Sequence, residues 1–265
     1  MIPLPQLKTI ASEKKVPPAT IIKDYLLTWL LAGLSESPLF KRMWFTGGTA
    51  LKKVYYKDYR FSEDIDLFTP GPCASRQMTQ RLTEILEWTY NELGIRFASE
   101  GPYRFNDRYQ YRIVDDYFYA AGMIPDRQPL LIDIACFDPE FLEEPQEKVL
   151  IIEYQDIREA KNTVSMVVPS ILDILIRKMF AVQDRKEPRD LYDLATILTR
   201  ESLSFEQVLE SYCQRFHPIS KETFLREITS PMLEKSWEIR LSHQVPGLPS
   251  FDKVIEEISA NIRRN

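Results

Sequence analysis

Three carboxylates stand among apolar neighbours that predict strands: Asp64 and Asp66 in Ser62-Glu63-Asp64-Ile65-Asp66-Leu67, and Asp133 in Leu131-Ile132-Asp133-Ile134. An ionised carboxylate in such surroundings is costly unless it is paired, neutralised or bound to a cation. Alternate side chains on a strand share a face, so Asp64 and Asp66 point one way while Ile65 and Leu67 point to the core. With Asp133 on a neighbouring strand and the same face, the expected metal ligands are Asp64, Asp66 and Asp133. The expected ion is Mg²⁺, which takes oxygen ligands and keeps positions for substrate phosphates. Two such ions ~3.5–4 Å apart activate an attacking oxygen and stabilise leaving pyrophosphate, the chemistry of phosphoryl or nucleotidyl transfer. The competing reading of Asp64 and Asp66 is a solvated strand face paired to lysines, and that of Asp133 an ordinary hydrophobic-Asp-hydrophobic triplet.

The elements around these residues must place them. Met43 to Thr46 reads as a short strand entering Gly47-Gly48, and Thr49 to Tyr56 as a helix. Glycines let backbone N–H groups approach a phosphate and a helix start favours its charge, although Gly-Gly is also a common turn. Lys41, Arg42, Lys52, Lys53, Lys57 and Arg60 crowd residues 41–60 against Asp58 alone. A basic cluster beside an acidic strand suits metal-bound polyphosphate or a nucleic-acid end, while its plainer reading is a solvated helix face.

Ile21, Ile22, Tyr25, Leu26, Trp29 and Leu30 recur at helical spacing between Pro17-Pro18 and Gly33, as core or as an oligomer surface. A strand over 60–68 ends at Pro70-Gly71-Pro72, and a helix follows over 75–93. Tyr103 to Tyr119 is aromatic, with a hairpin turn expected at Asn106-Asp107; its rings could pack across a sheet or stack on bases. Further strands are expected over 129–137, 149–154 and 163–168. Past Val168-Pro169-Ser170 the periodicity is helical, over 170–185, 188–199, 204–215 and 250–263. The expected domains are therefore 1–168, α+β with an N-terminal helix, and 169–265, helical, with a ligand cleft between them.

Composition bounds the rest. The 265 residues are 44% hydrophobic and 12% aromatic, ample for a packed core. Cys73, Cys136 and Cys213 form no CxxC pair and the histidines are only His217 and His243, which argues against a disulfide framework, a zinc knuckle or a histidine-based triad. No apolar run reaches the roughly 18 residues of a membrane span and the amino terminus lacks signal-peptide character, so a cytoplasmic protein with no membrane association is expected. A formal net charge of −5 excludes a generally basic nucleic-acid coat.

The segment FTGGTALKKVYYKDYRFSEDIDLF resembles nucleotidyltransferases related to DNA polymerase beta and, more closely, the AbiEii/AbiGii-type toxins of toxin–antitoxin and abortive-infection systems. The superfamily pattern is a Gly-Gly or Gly-Ser turn, a helix, Asp-hydrophobic-Asp and a later acidic strand residue, met here by Gly47-Gly48-Thr49, Asp64-Ile65-Asp66 and Asp133. A longer gap between glycines and aspartates, and Thr49 in place of serine, depart from the superfamily but not from the narrower family. A second block, Lys178-Met179-Phe180-Ala181, Arg185 and Arg189-Asp190-Leu191-Tyr192-Asp193-Leu194, extends the resemblance, which covers roughly residues 40 to 195.

What the resemblance implies is an α+β, nucleotidyltransferase-like mixed sheet flanked by helices, followed by an all-helical C-terminal lobe. The implied activity is Mg²⁺-dependent transfer of nucleotides from a nucleoside triphosphate to an RNA acceptor, with the 3′ end of transfer RNA one candidate. Gly47, Gly48, Thr49, Ser62, Lys178 and Arg185 would hold the nucleotide; Asp64, Asp66, Asp133, Lys178, Asp190 and Asp193 would be catalytic. A cognate antitoxin encoded nearby is the implied partner. From the residues alone, Asp190 in the first turn after Pro188 could equally offset the helix dipole. Alternatives are a transferase acting on a small molecule or protein, and a non-catalytic nucleotide-binding module.

Overall fold

The computed structural model describes residues 1–69, 75–106, 108–118, 129–136 and 141–263. The Pro70-Gly71-Pro72 terminator, Cys73, Asp107 of the hairpin turn, Tyr119 and Phe137 lie outside them. The chain divides into one unit of Met1–Glu140 with Pro145–Pro169, and a second of Phe141–Glu144 with Ser170–Asn265.

The first unit is built on a seven-stranded mixed sheet. Its strands are β1 (Trp44–Thr46), β2 (Asp64–Thr69), β3 (Phe97–Phe105), β4 (Arg108–Asp115), β5 (Leu130–Cys136), β6 (Gln146–Val149) and β7 (Ser165–Val168), in the order β3-β4-β5-β2-β1-β7-β6. At its centre β2 runs parallel to β5 and antiparallel to β1. Ile65 and Leu67 of β2 and Ile132 and Ile134 of β5 are buried, while Asp64, Asp66 and Asp133 between them are half-buried. The alternation of the sequence is thus the alternation of the pleat.

Helix α1 (Leu4–Lys14) precedes α2 (Pro18–Glu36), and α4 (Ser75–Leu93) follows β2. Helix α2 is apolar nearly all round, as a helix enclosed on every side must be. Its Tyr25, Leu26, Trp29 and Leu30 are at most 1% exposed and belong to the core, not to an oligomer surface.

Several elements differ from expectation. The strand carrying Asp64 starts at Asp64 itself, and 60–63 lie outside it. After Gly47-Gly48 a short helix α3 (Gly47–Ala50) passes into a π-helical turn, Leu51–Tyr55, instead of a regular helix to Tyr56. Residues 150–154 are irregular: the sheet edge is β6, whose polar Gln146-Glu147-Lys148 carries no apolar signal, and α5 (Gln155–Ala160) follows.

The second unit is helical: α6 (Ile171–Arg185), α7 (Pro188–Glu201), α8 (Phe205–Arg215), α9 (Lys221–Ile228), α10 (Pro231–Leu241) and α11 (Phe251–Arg263). Ser170, Ser220 and Ser230 each accept a backbone N–H as N-caps of α6, α9 and α10. Helices α9 and α10 had escaped the apolar periodicity; one is short and the other bears polar residues around most of its surface. The mixed sheet with flanking helices, followed by helices, is the expected class. No helix among the described residues is long and apolar enough to cross a membrane.

Candidate active site

One cross-strand row organises the carboxylates. Thr46 of β1 pairs with Asp66 of β2, and Asp66 with Asp133 of β5. Residues paired across neighbouring strands share a face, so the two carboxylates stand side by side, with Asp64 two residues along on the same face. Like charges so opposed destabilise a sheet, and a cation relieves the cost. Asp133 Oδ1 accepts a hydrogen bond from Gln110 Nε2 at 2.9 Å; Gln110 occupies the paired position on β4. Sequence reasoning missed Gln110 because nothing in its neighbourhood shows which strand pairs with β5.

The glycine turn closes on this row. Gly47 has φ +76°, and a Cβ there would lie 1.9 Å from Asp66 Oδ2, so no other residue fits without moving the carboxylate. A Cβ on Gly48 would come within 2.5 Å of an Arg60 guanidinium nitrogen and 2.9 Å of Ser62 Oγ. The Thr49 hydroxyl donates to the Asp64 carbonyl, tying the first turn of α3 to the start of β2. Gly47, Gly48, Thr49 and Ser62 therefore gather around Asp64 and Asp66. Arg60, buried beside Gly48, is a cation that sequence reasoning left undifferentiated within the basic cluster.

Among the described residues no group of three or more His, Cys, Asp or Glu is gathered as a metal cage requires, so the expected three-carboxylate ligand set is not preformed. The donor chemistry nevertheless suits a hard cation. Asp66 and Asp133 offer only oxygens, are adjacent, and are exposed enough for water and substrate oxygens to complete a coordination shell.

Two members of the basic cluster have a different use from either expected one, while Lys41, Arg42 and Lys57 are exposed. Lys52 and Lys53 are buried within the π-helical turn. Lys53 Nζ lies 2.7 Å from Asp24 Oδ2 of α2, which also accepts the Tyr154 hydroxyl at 2.8 Å, and Lys52 Nζ lies 3.3 Å from Glu153 Oε2. Burial acts to raise the Asp24 pKa, but the Lys53 and Lys52 charges outweigh it and hold the carboxylate below its ordinary range. These lysines anchor the segment after the glycine turn to α2 and the 153–154 segment.

The second block forms its own cluster within the helical unit. Lys178 Nζ of α6 lies 2.9 Å from Asp190 Oδ1 and 2.7 Å from Asp193 Oδ2 of α7, while Arg185 grips both Asp190 oxygens at 2.7 and 2.9 Å. Asp190 and Asp193 are fully buried. Burial pushes Asp190 up, and Lys178 and Arg185 more than reverse this, leaving its pKa lowered. Asp190, in the first turn of α7, is thus a two-cation acceptor locking α6 to α7, and the structure brings Lys178, Arg185, Asp190 and Asp193 together.

The model of the family "Nucleotidyl transferase AbiEii toxin, Type IV TA system" matches residues 29–257. Among solved structures, the chain is similar to MenT4, nucleotidyltransferase toxin Rv2826c from Mycobacterium tuberculosis H37Rv, with TM-score 0.67 and 14% identity over 99% of this chain and 89% of that one. It is also similar to a putative nucleotidyltransferase from H. pylori, with TM-score 0.59 and 18% identity over 92% and 93% of the two chains. At these identities the likeness is one of fold. No curated protein sequence matches the chain.

Proposed function

Because the chain belongs to the AbiEii nucleotidyltransferase toxin family of type IV toxin–antitoxin systems, we propose that it transfers a nucleotide from a nucleoside triphosphate to an RNA acceptor, with Mg²⁺ bound at the sheet carboxylates. One observation supports this above all: Asp66 stands opposite Asp133 with Gly47 pressed against the Asp66 carboxylate. A phosphate chain lying on the glycine turn would then be within reach of two adjacent carboxylates that could hold its counter-ion.

In this reading Gly47, Gly48 and Thr49 orient the triphosphate by close backbone approach, with Ser62 offering a hydroxyl and Arg60 a cation beside Gly48. Asp66 and Asp133, joined by Asp64, would hold the Mg²⁺, which would supply Lewis acidity and charge neutralisation at the reacting phosphate. Asp133, hydrogen-bonded by Gln110, would either ligate one ion or take the proton of an acceptor hydroxyl. The leaving group is pyrophosphate, and the bond formed joins the acceptor oxygen to the α-phosphorus. The family resemblance ties Lys178, Arg185, Asp190 and Asp193 to turnover, and they are part of the proposal. The 3′ end of transfer RNA is one acceptor, the cytoplasm the site of action, and an antitoxin encoded beside the chain the regulatory partner.

The test is incubation of the full chain with labelled nucleoside triphosphates, Mg²⁺ and cellular RNA. Label is expected on RNA with the native chain and none above background with Asp66→Ala. No label on RNA under any divalent metal, or equal labelling by Asp66→Ala, would sink the reading.

A further inference from the structure

The site's row does not stop at the carboxylates. Asp133 pairs with Gln110 of β4, and Gln110 with Tyr103 of β3, the strand at the sheet edge, so Asp66, Asp133, Gln110 and Tyr103 form one line across four strands. One row along, Phe68, Ala135, Arg108 and Phe105 are paired in the same way, and Leu131 pairs with Arg112 on the other side. All these side chains share the face of Asp66. The buried Ile65, Ile132 and Tyr111 occupy the opposite face.

Tyr103 reaches that face because of a bulge. Glu100 pairs with Arg112 but Tyr103 pairs with Gln110, so β3 spends one residue more than β4 between the two pairs. In regular pairing residue 102 would stand opposite Gln110 and Tyr103 would point away. Gly101, at φ +111°, makes the bulge; a Cβ there would lie 2.8 Å from the Gln110 carbonyl.

The outer part of this face is open. Tyr103 is 39% and Phe105 58% exposed, whereas Tyr111 of the same hairpin is fully buried. The Arg112 guanidinium lies 5.0 Å from the centre of the Tyr103 ring, and Arg108 and Arg112 are exposed; among the described residues Glu100 brings a carboxylate within 3.4 Å of the Tyr103 hydroxyl. Strand spacing of about 4.8 Å puts Tyr103 roughly 14 Å from Asp66, the span of two or three nucleotides.

We infer that the β3–β4 hairpin is the acceptor track, on which a single-stranded RNA end stacks its bases on Tyr103 and Phe105 while Arg108 and Arg112 meet its phosphates and its terminal hydroxyl reaches Asp133. Rings with π-faces beside cations hold any base without reading its sequence. A chain of formal net charge −5 that keeps two arginines and two open rings on the face of its carboxylates suits an anionic, base-bearing partner better than an apolar one. The inference rests on the proposed RNA acceptor, and names where that acceptor lies.

Two measurements on the full chain test it: anisotropy of a short fluorescein-labelled single-stranded RNA, and labelled-nucleotide transfer to RNA. Tyr103→Ala with Phe105→Ala should weaken RNA binding by about tenfold per ring. In transfer the loss should fall on KM for RNA, with KM for the triphosphate held, and Tyr103→Trp should keep binding. Arg108→Gln and Arg112→Gln should each lower the slope of log affinity against log salt by about 0.7. Both rings are exposed, so circular dichroism should show intact folds. Unchanged RNA affinity in the double variant, or tighter binding of a duplex than of the single strand, would overturn the track. Native transfer that the double variant matches also overturns it while leaving nucleotidyl transfer standing. Ring-dependent binding without any native transfer keeps the track and removes the proposed reaction.

Discussion

Asp66 and Asp190 carry the same side chain in opposite circumstances. Asp190 is wholly buried, held by Lys178 on one oxygen and by Arg185 on both, with Asp193 sharing the lysine. Asp66 is half-buried, faces a second carboxylate across a parallel strand pair, and has a glycine where any side chain would collide with it. Removing one member of a buried ion pair leaves a stranded charge and costs stability, whereas an opposed carboxylate pair at an accessible position gains by taking up a cation. The helical cluster is therefore a fully buried set of ion pairs, and the sheet row a half-buried pair of opposed carboxylates. Sequence reasoning made Asp66 a metal ligand and Asp190 a catalytic residue or a helix-dipole partner; partners and burial show how differently the two are held.

The largest effect should distinguish the two on activity. Asp66→Ala is expected to lower labelled-nucleotide transfer by about a thousandfold or more while moving the urea midpoint less than Asp190→Ala does, since Asp66 is half-buried and stands opposite a like charge. Asp190→Ala should do the reverse on stability, costing about 3–5 kcal/mol in urea unfolding, because Lys178 and Arg185 lose their shared carboxylate. A stable Asp190→Ala together with an unfolded Asp66→Ala would invert the comparison.

Acid should discriminate between them more gently. The Asp190 pKa is lower folded than unfolded, so its stabilisation is fully present above the unfolded value of about 4 and is lost as pH falls through the folded one. In acid titration followed by circular dichroism, native protein should therefore lose stability below about pH 4, and Asp190→Asn, already destabilised, should lose less over that range. Equal pH slopes for the two proteins would show that Asp190 does not carry the linkage.

What the sequence revealed follows physical range. The alternation around Asp64 and Asp66, the Gly47-Gly48 turn and the helical recurrence of apolar residues in α2 are local patterns, and all three were legible. The pairing of Asp66 with Asp133 needed the order β5-β2-β1, and Gln110 needed β4 beside β5; both are non-local and leave no trace in spacing. Lys52 and Lys53 misled because a run of lysines reads as solvated, whereas Asp24 and Glu153, far away in sequence, bury them as pairs. The aromatic hairpin divided: Tyr111 packs across the sheet as one reading had it, and the bulge at Gly101 leaves Tyr103 open.

The smallest effect tests whether the sheet row is organised or merely acidic. Gln110 donates to Asp133 Oδ1 from the paired position on the next strand, so its amide sets the orientation in which Asp133 faces Asp66. A hydrogen bond to a charged group contributes about 1.5–3 kcal/mol, but here a cation can recover part of that orientation, so Gln110→Ala should lower kcat for nucleotide transfer by about tenfold. KM for the triphosphate should stay within about twofold, because the glycine turn and Arg60 are untouched. Gln110→Glu should be worse than Gln110→Ala, since it sets a third carboxylate beside Asp133 and Asp66. More Mg²⁺ should recover part of its loss and little of the alanine variant's. An unchanged kcat in Gln110→Ala would mean that Asp133 works without a fixed orientation, and the row would then be a patch of charge instead of a built site.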